Sequence, residues 1–195
     1  MYKLILSTIA LGLFAMTNIN AAEYEVDTKK TKVKWHAEKV TGEHDGYVSV
    51  KSGSLEYSDG ELEDGEFVID MTSIVNTDIE DKGYRAKLEN HLKSDDFFSV
   101  EKYPEAMFEI TEVKTVSGQT TVYGEMTIKG KTKKISFPAE ISASEDALTA
   151  TATITLDRSN YNVKYNSKSF FDIEALGDKM IYDEFTITLH LVAKK

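Results

Sequence analysis

Hydrophobic residues recur at every second position through most of this chain, and a period of two restricts it to β-strands with one buried face. Thr151 to Leu156 shows the pattern most plainly: Ala150, Ala152, Ile154 and Leu156 share one side, and Thr151, Thr153 and Thr155 the other. The last segment repeats it, with Phe185, Ile187, Leu189 and Leu191 opposed to Thr186, Thr188 and His190. The same alternation runs through Val33/Trp35/Ala37, Val48/Val50, Phe67/Ile69/Met71, Ala106/Phe108/Ile110, Val122/Met126/Ile128 and Ile135/Phe137/Ala139/Ile141. About eight strands result.

Between these runs stand Asp59-Gly60, Asp64-Gly65, Ser117-Gly118 and Lys129-Gly130, pairs suited to tight hairpin turns, so an up-and-down meander is expected. Two stretches depart from it. Tyr84, Leu88 and Leu92 lie four apart, which predicts an amphipathic helix from Asp81 to Leu92, followed by a short helical turn at Asp95-Asp96-Phe97-Phe98. Asp157 to Glu184 is rich in Ser, Asn, Lys and Tyr and reads as a long excursion at one end of the sheet. An antiparallel meander of this size ends as a sandwich or as a closed barrel, whose interior is either filled by side chains or left open to one ligand. Large inward residues (Trp35, Phe67, Phe108, Phe137, Phe185) mixed with small ones (Gly124, Ala106, Ala139, Ala150, Ala152) are compatible with both.

Charge and composition remove several functional classes. A formal charge of −10 repels phosphate backbones and anionic membrane surfaces at long range, so nucleic acid is not an expected partner and no general affinity for anionic membranes is expected. The absence of cysteine excludes disulfides, thiolate metal sites, cysteine nucleophiles and an acylated lipoprotein N-terminus. His36, His44, His91 and His190 show no H-x-H or H-x-x-x-H spacing, and no metal is expected. Carboxylate pairs such as Asp95/Asp96 and Asp183/Glu184 are abundant, but nothing marks one member as sitting in an apolar pocket with a raised pKa. Serine-elbow, P-loop and dinucleotide fingerprints are missing. No catalytic residue is therefore named.

The leader differs from the rest. Lys3 is followed by the apolar run Leu4 to Phe14, of the length of a signal-peptide core and short for a bilayer span. Residues 1–22 are read as a cleaved secretory signal, with cleavage near Ala21/Ala22 and a periplasmic destination, and residues 23–195 as one domain; because Ile19 or Asn20 then stands at −3 in place of a small residue, a retained N-terminal anchor is the alternative.

The block His91-Leu92-Lys93-Ser94-Asp95-Asp96-Phe97-Phe98, followed by Tyr103-Pro104 and Phe108, resembles the H-L-x-S-x-D-F-F-D-V-x-x-Y-P-x-x-x-F signature of the YceI-like family of bacterial polyisoprenoid-binding proteins. Ser99 stands where that family usually has Asp. Trp35 with Gly42, His44 and Gly46 also matches, as do Ile69-Asp70-Met71 with Ser73-Ile74, Gly124 to Gly130, Asp157-Arg158 before Tyr161, and Ile181 to Glu184, where Tyr182 replaces a glycine. The resemblance spans about Glu23 to Lys194. It implies an all-β fold: an elongated, eight-stranded antiparallel lipocalin-like barrel with a short helical insertion between strands 3 and 4. It further implies export to the periplasm and an apolar pore holding a long isoprenoid tail, such as a prenyl quinone or polyprenyl phosphate, with no cofactor and no established enzymatic activity.

Under that resemblance Trp35, Phe67, Ile69, Phe108, Met126, Phe137, Ile154, Phe185 and Ile187 are candidate ligand contacts, each with the plainer reading of a filled core. Phe97 and Phe98, adjacent on a short helix, are expected to face different ways, one over the pore and one outward, with both packed beneath the loop as the plainer reading. Arg158 is the candidate head-group contact, set against a structural ion pair with a carboxylate. His44 is either a ligand contact or an organiser of the Gly42 to Gly46 turn. Lys129, Lys131, Lys133 and Lys134 form a basic run that suits a solvated turn or transient membrane contact, and a homodimer stays open. Two other classes remain: a lipocalin-like enzyme acting on a small apolar substrate, which needs a buried polar dyad, and a packed barrel serving as a stress-related interaction module, which needs no cavity.

Overall fold

Alternation closes into a ring. The structure, a computed structural model, describes residues 21–195 and contains nine strands: β1 (Ala22–Val26), β2 (Lys32–Lys39), β3 (Gly42–Ser58), β4 (Glu61–Asn76), β5 (Glu105–Val116), β6 (Gln119–Ile128), β7 (Lys131–Ala143), β8 (Ala147–Asp157) and β9 (Ile181–Lys194). Every pairing is antiparallel, and the β3–β4 pairing joins the two ends of the sheet, so no long edge is left open. The secretory-signal reading falls almost wholly on residues outside those described.

Nine strands fill eight places because β1 and β2 share one. β2 lies between the upper halves of β3 and β9, with Val33 opposite Val48 and Trp35 opposite Ile187. β1 continues that place lower down, with Tyr24 opposite Leu55 and Val26 opposite Ala193. Across the break the Thr31 hydroxyl donates to the Val192 carbonyl (3.2 Å) and accepts from the Val192 N–H (3.1 Å), replacing the missing backbone pair. The result is the expected eight-stranded, lipocalin-like barrel.

Three of the four expected turns join strands. Asp59-Gly60, Ser117-Gly118 and Lys129-Gly130 all have positive φ at both residues, the geometry that matches strand twist in a two-residue hairpin. Asp64-Gly65 is not a turn. Both residues lie inside β4, opposite Glu56 and Leu55. The glycine is needed there for space, since a Cβ would fall 2.7 Å from Leu55 Cδ2.

All the substantial connections gather at one end, here called the upper end. Helix α1 (Lys82–Lys93) spans β4 to β5, capped by the Asp81 carboxylate accepting from the Tyr84 N–H at 2.8 Å, close to the expected limits. Of its predicted apolar stripe Tyr84 stands 68% exposed; Leu88 and Leu92 are half-buried, so only the C-terminal part of the helix leans on the barrel. The 158–180 excursion links β8 to β9 through a 3-10 turn at Arg158–Tyr161 and a short helix α2 (Ile173–Leu176). No helix of the described residues is long and apolar enough to cross a membrane.

Candidate functional site: an apolar tunnel

The inward residues of the ring do not fill it. A cavity of about 220 Å³ runs through the barrel, bounded by Leu62 and Leu148 near the lower turns and by Phe97, Phe98 and Tyr182 at the upper end. Its wall presents only apolar atoms. The volume is below the roughly 300–1,000 Å³ of pockets for compact ligands. With lining residues contributed from both ends of the barrel, the space is long and thin. Such a shape suits a chain.

Trp35, Phe67, Ile69, Phe108, Met126, Phe137, Ile154, Phe185 and Ile187 all lie on this wall. One side is aromatic: Phe67 stacks on Phe108 (centroids 6.3 Å), and Phe108 packs at a tilt on Phe137 (5.5 Å). Gly124 makes that possible, because a Cβ there would meet the Phe108 ring at 2.4 Å. Gly46 does the same for Trp35, whose benzo edge occupies the place a side chain would take. The Trp35 indole N–H is buried without a hydrogen-bond partner.

The upper end bears on the readings of Phe97 and Phe98, Arg158, His44 and Lys129. Phe97 and Phe98 both line the tunnel. They sit in an irregular turn, not on a regular helix, so the helical step that would separate them does not apply; the Phe98 N–H reaches back to the Leu92 carbonyl (3.1 Å) and Phe97 to Ser94 (3.1 Å). His91, held by Asp96 at 2.9 Å, packs edge-on against Phe97 and Tyr165 (centroids 4.9 and 4.6 Å) and fixes that turn beneath the excursion.

Arg158 reaches the wall with its stem, but its guanidinium is not free for a head group. Nε donates to the Tyr182 carbonyl (3.1 Å), Nη1 to Val163 (3.1 Å) and Tyr165 (2.9 Å), and Nη2 to Ile181 (3.0 Å), while Asp183 lies 3.3 Å away. The structural reading of Arg158 holds: it clamps the excursion to the start of β9. His44 is absent from the wall. It pairs with Asp78 at 2.8 Å, whose other oxygen accepts from the Asp45 N–H, so this histidine organises the rim.

Lys129 also departs from a solvated turn. Its ammonium donates to the carbonyls of Asp95 and Phe97, and burial lowers its pKa from the usual lysine range. Among the described residues one group, His36, Glu38 and Glu43, can bring three metal-type donors within 4.8 Å. These positions alternate with the tunnel-facing Trp35 and Ala37, so they lie on the outer face of β2 and β3. Glu38 and Asp45 hold the His36 pKa above its ordinary value.

Sequence reasoning missed Tyr165, Asp183 and Lys129 as organisers of the mouth. Asp183 carried a signal as part of Ile181 to Glu184, and Lys129 as part of Gly124 to Gly130; Tyr165 acts through contacts between segments distant in the chain.

A family model described as "YceI-like domain" matches residues 24–193. A UPF0312 protein of Vibrio cholerae serotype O1 is 36% identical over 146 residues, 71% of this chain and 75% of its own. One from Pseudomonas aeruginosa is 30% identical over 160 residues, 75% and 76% of the two chains. Among solved structures, Burkholderia cenocepacia BcnA superposes with a TM-score of 0.66 at 24% identity, over 86% of this chain and 98% of that one. A polyisoprenoid binding domain from Saccharophagus degradans gives 0.62 at 13% identity, over 88% and 97%. These distant matches share the fold.

Proposed function

From the premise that the chain belongs to the YceI-like domain family, we propose that it is an exported binding protein that holds one amphiphilic polyisoprenoid, a prenyl quinone or polyprenyl phosphate, in its barrel for transport, storage or sequestration. The observation that carries this reading is the long tunnel with a wholly apolar wall. An isoprenoid tail offers almost nothing to hydrogen-bond. Its affinity must come from area removed from water, at roughly 25 cal/mol per Å² before the costs of association. A dry, narrow channel supplies that area.

The polar end of the ligand belongs at the upper mouth, where Phe97, Phe98 and Tyr182 end the tunnel. Binding suits this wall better than catalysis, because acid–base chemistry needs a polar dyad facing the substrate. The open interior likewise favours a carrier over a packed interaction module. A polyisoprenoid-binding neighbour of the same fold supports the ligand class. The periplasmic destination rests on Lys3 and the apolar run Leu4 to Phe14.

Protein purified from its native host, examined by native mass spectrometry and by lipid extraction, is expected to carry one isoprenoid per chain. Repeated preparations without bound lipid, from a protein that also refuses added polyprenol, would overturn the reading.

A further inference from the structure

Ten large hydrophobic side chains stand well exposed among the described residues, and half of them, Val40, Phe170, Phe171, Ile173 and Tyr182, crowd the upper end of the barrel. Hydrogen bonds place them together: the Val40 N–H donates to the Met180 carbonyl (3.1 Å), and the Ser169 hydroxyl to Asp183 (2.7 Å) beside Tyr182. The excursion that carries Phe170, Phe171 and Ile173 is not loose. Tyr161, Val163, Ser167 and Leu176 are buried beneath it, and the Arg158 clamp holds four carbonyls of the excursion and adjoining β9. A segment with a core of its own still turns two phenylalanines and an isoleucine into water, at 41, 51 and 58% exposure. Apolar surface gathered and held in this way marks a contact site.

Charge and continuity identify the partner. The chain as a whole carries −10, yet this end is near neutral: with Arg158 buried in its clamp, residues 159–182 expose Lys164, Lys168 and Lys179 against Asp172, Glu174 and Asp178. Lys164, Lys168 and Lys179 are exposed around the apolar group, and Lys164 Nζ lies 5.1 Å over the Phe170 ring. Apolar side chains flanked by lysines are the usual makeup of a surface that dips into the headgroup boundary of a bilayer. Tyr182 belongs both to this patch and to the tunnel wall. A lipid leaving the tunnel beside it would otherwise expose its apolar tail to water.

We propose that the upper end of the barrel, led by Phe170, Phe171 and Ile173, docks on a lipid bilayer surface, so that the ligand passes directly between membrane and tunnel. This rests on the carrier reading for its purpose but on the exposed patch for its evidence.

The test is transfer of a fluorescent polyprenol from the full-length protein to phosphatidylcholine vesicles, with and without phosphatidylglycerol. Direct docking predicts a rate that rises with acceptor vesicle concentration. It also predicts a fall on the order of tenfold in the variant Phe170→Ser/Phe171→Ser/Ile173→Ser, which keeps its melting temperature because none of the three is buried. A rate independent of vesicle concentration, or unchanged in the variant, overturns the proposal. So does a wild-type dimer in sedimentation that the triple variant dissolves, since the patch would then face a second copy. Should the protein bind no polyprenol at all, the carrier reading fails by itself. Flotation of ligand-free protein with the same vesicles then decides the docking surface, with loss in the triple variant expected and no flotation of wild type overturning it.

Discussion

Arg158 and Asp183 lie 3.3 Å apart with about one-twentieth of either side chain exposed, and together they tie the beginning of the excursion to the beginning of β9. The pair does more than cancel charge. The guanidinium also satisfies the carbonyls of Tyr182, Val163, Tyr165 and Ile181, while Asp183 accepts from Ser169. Removing one partner leaves the other charge buried and unpaired, which costs about 3–5 kcal/mol, whereas removing both relieves much of that penalty. Arg158→Met and Asp183→Leu are each expected to lower stability by that order in urea unfolding. The double variant should recover part of the loss. Independent, additive effects would show that the two side chains do not act as a unit.

Phe137 and Ile154 are both 7% exposed and face the tunnel from β7 and β8. Phe137→Asp or Ile154→Lys places an unpaired charge in an apolar interior, a cost of several kcal/mol. Lipid should be absent from either purified variant, and the melting temperature should fall. Ala150→Phe separates the two effects, since it narrows the tunnel without adding charge; it is expected to reduce bound lipid with a smaller loss of stability, read by lipid extraction and thermal unfolding side by side.

The strand alternation made the barrel wall legible because one buried face imposes a period of two, as in Ala150 to Leu156. Asp64-Gly65 misled because a glycine kept for space beside Leu55 looks, in sequence, like one kept for a turn. The break between β1 and β2 left no pattern to read, since the Thr31 hydroxyl stands in for a backbone pair that no local rule anticipates. The tunnel itself was undecidable from residue types: a void is the difference between the volume a ring encloses and the volume its side chains fill, and either outcome uses the same mixture of Phe and Ala. Arg158 was singled out correctly as a special residue, but its partners are carbonyls, which a side-chain sequence does not display.

Tyr161 is 2% exposed, and burial, aided by Asp157, pushes its phenol pKa up to about 12. The folded state therefore holds this proton more tightly than the unfolded chain, in which the pKa is near 10. Its contribution to stability is intact below that value and is lost as pH rises from about 10 towards 12, amounting to about 1 kcal/mol by pH ~11. Tyr161→Phe removes the titrating group. Urea unfolding at about pH 9 and pH 11 should show wild type losing more stability than the variant by that amount; equal losses would mean that Tyr161 ionises without resistance from the fold.

Trp35 is the chain's one tryptophan, and its indole N–H is buried, unpaired and carried by a ring that forms part of the tunnel wall. It therefore gives a single side-chain signal in a proton–nitrogen correlation spectrum, located on the surface a ligand must touch. Titration with polyprenol should shift that signal in step with binding, whereas a short water-soluble alcohol should leave it unmoved. Gly46→Ala sharpens the test, because the new methyl would fall 1.9 Å from the Val75 carbonyl and 2.4 Å from the Trp35 ring. Both the β4 backbone at Val75 and the Trp35 ring must then shift, and such overpacking costs about 1–3 kcal/mol or more. Weaker polyprenol binding and a displaced indole signal in the lipid-free variant are expected together. A wild-type signal that stays fixed through saturation would place the bound tail away from β2 and β3, on the aromatic side formed by Phe67, Phe108 and Phe137.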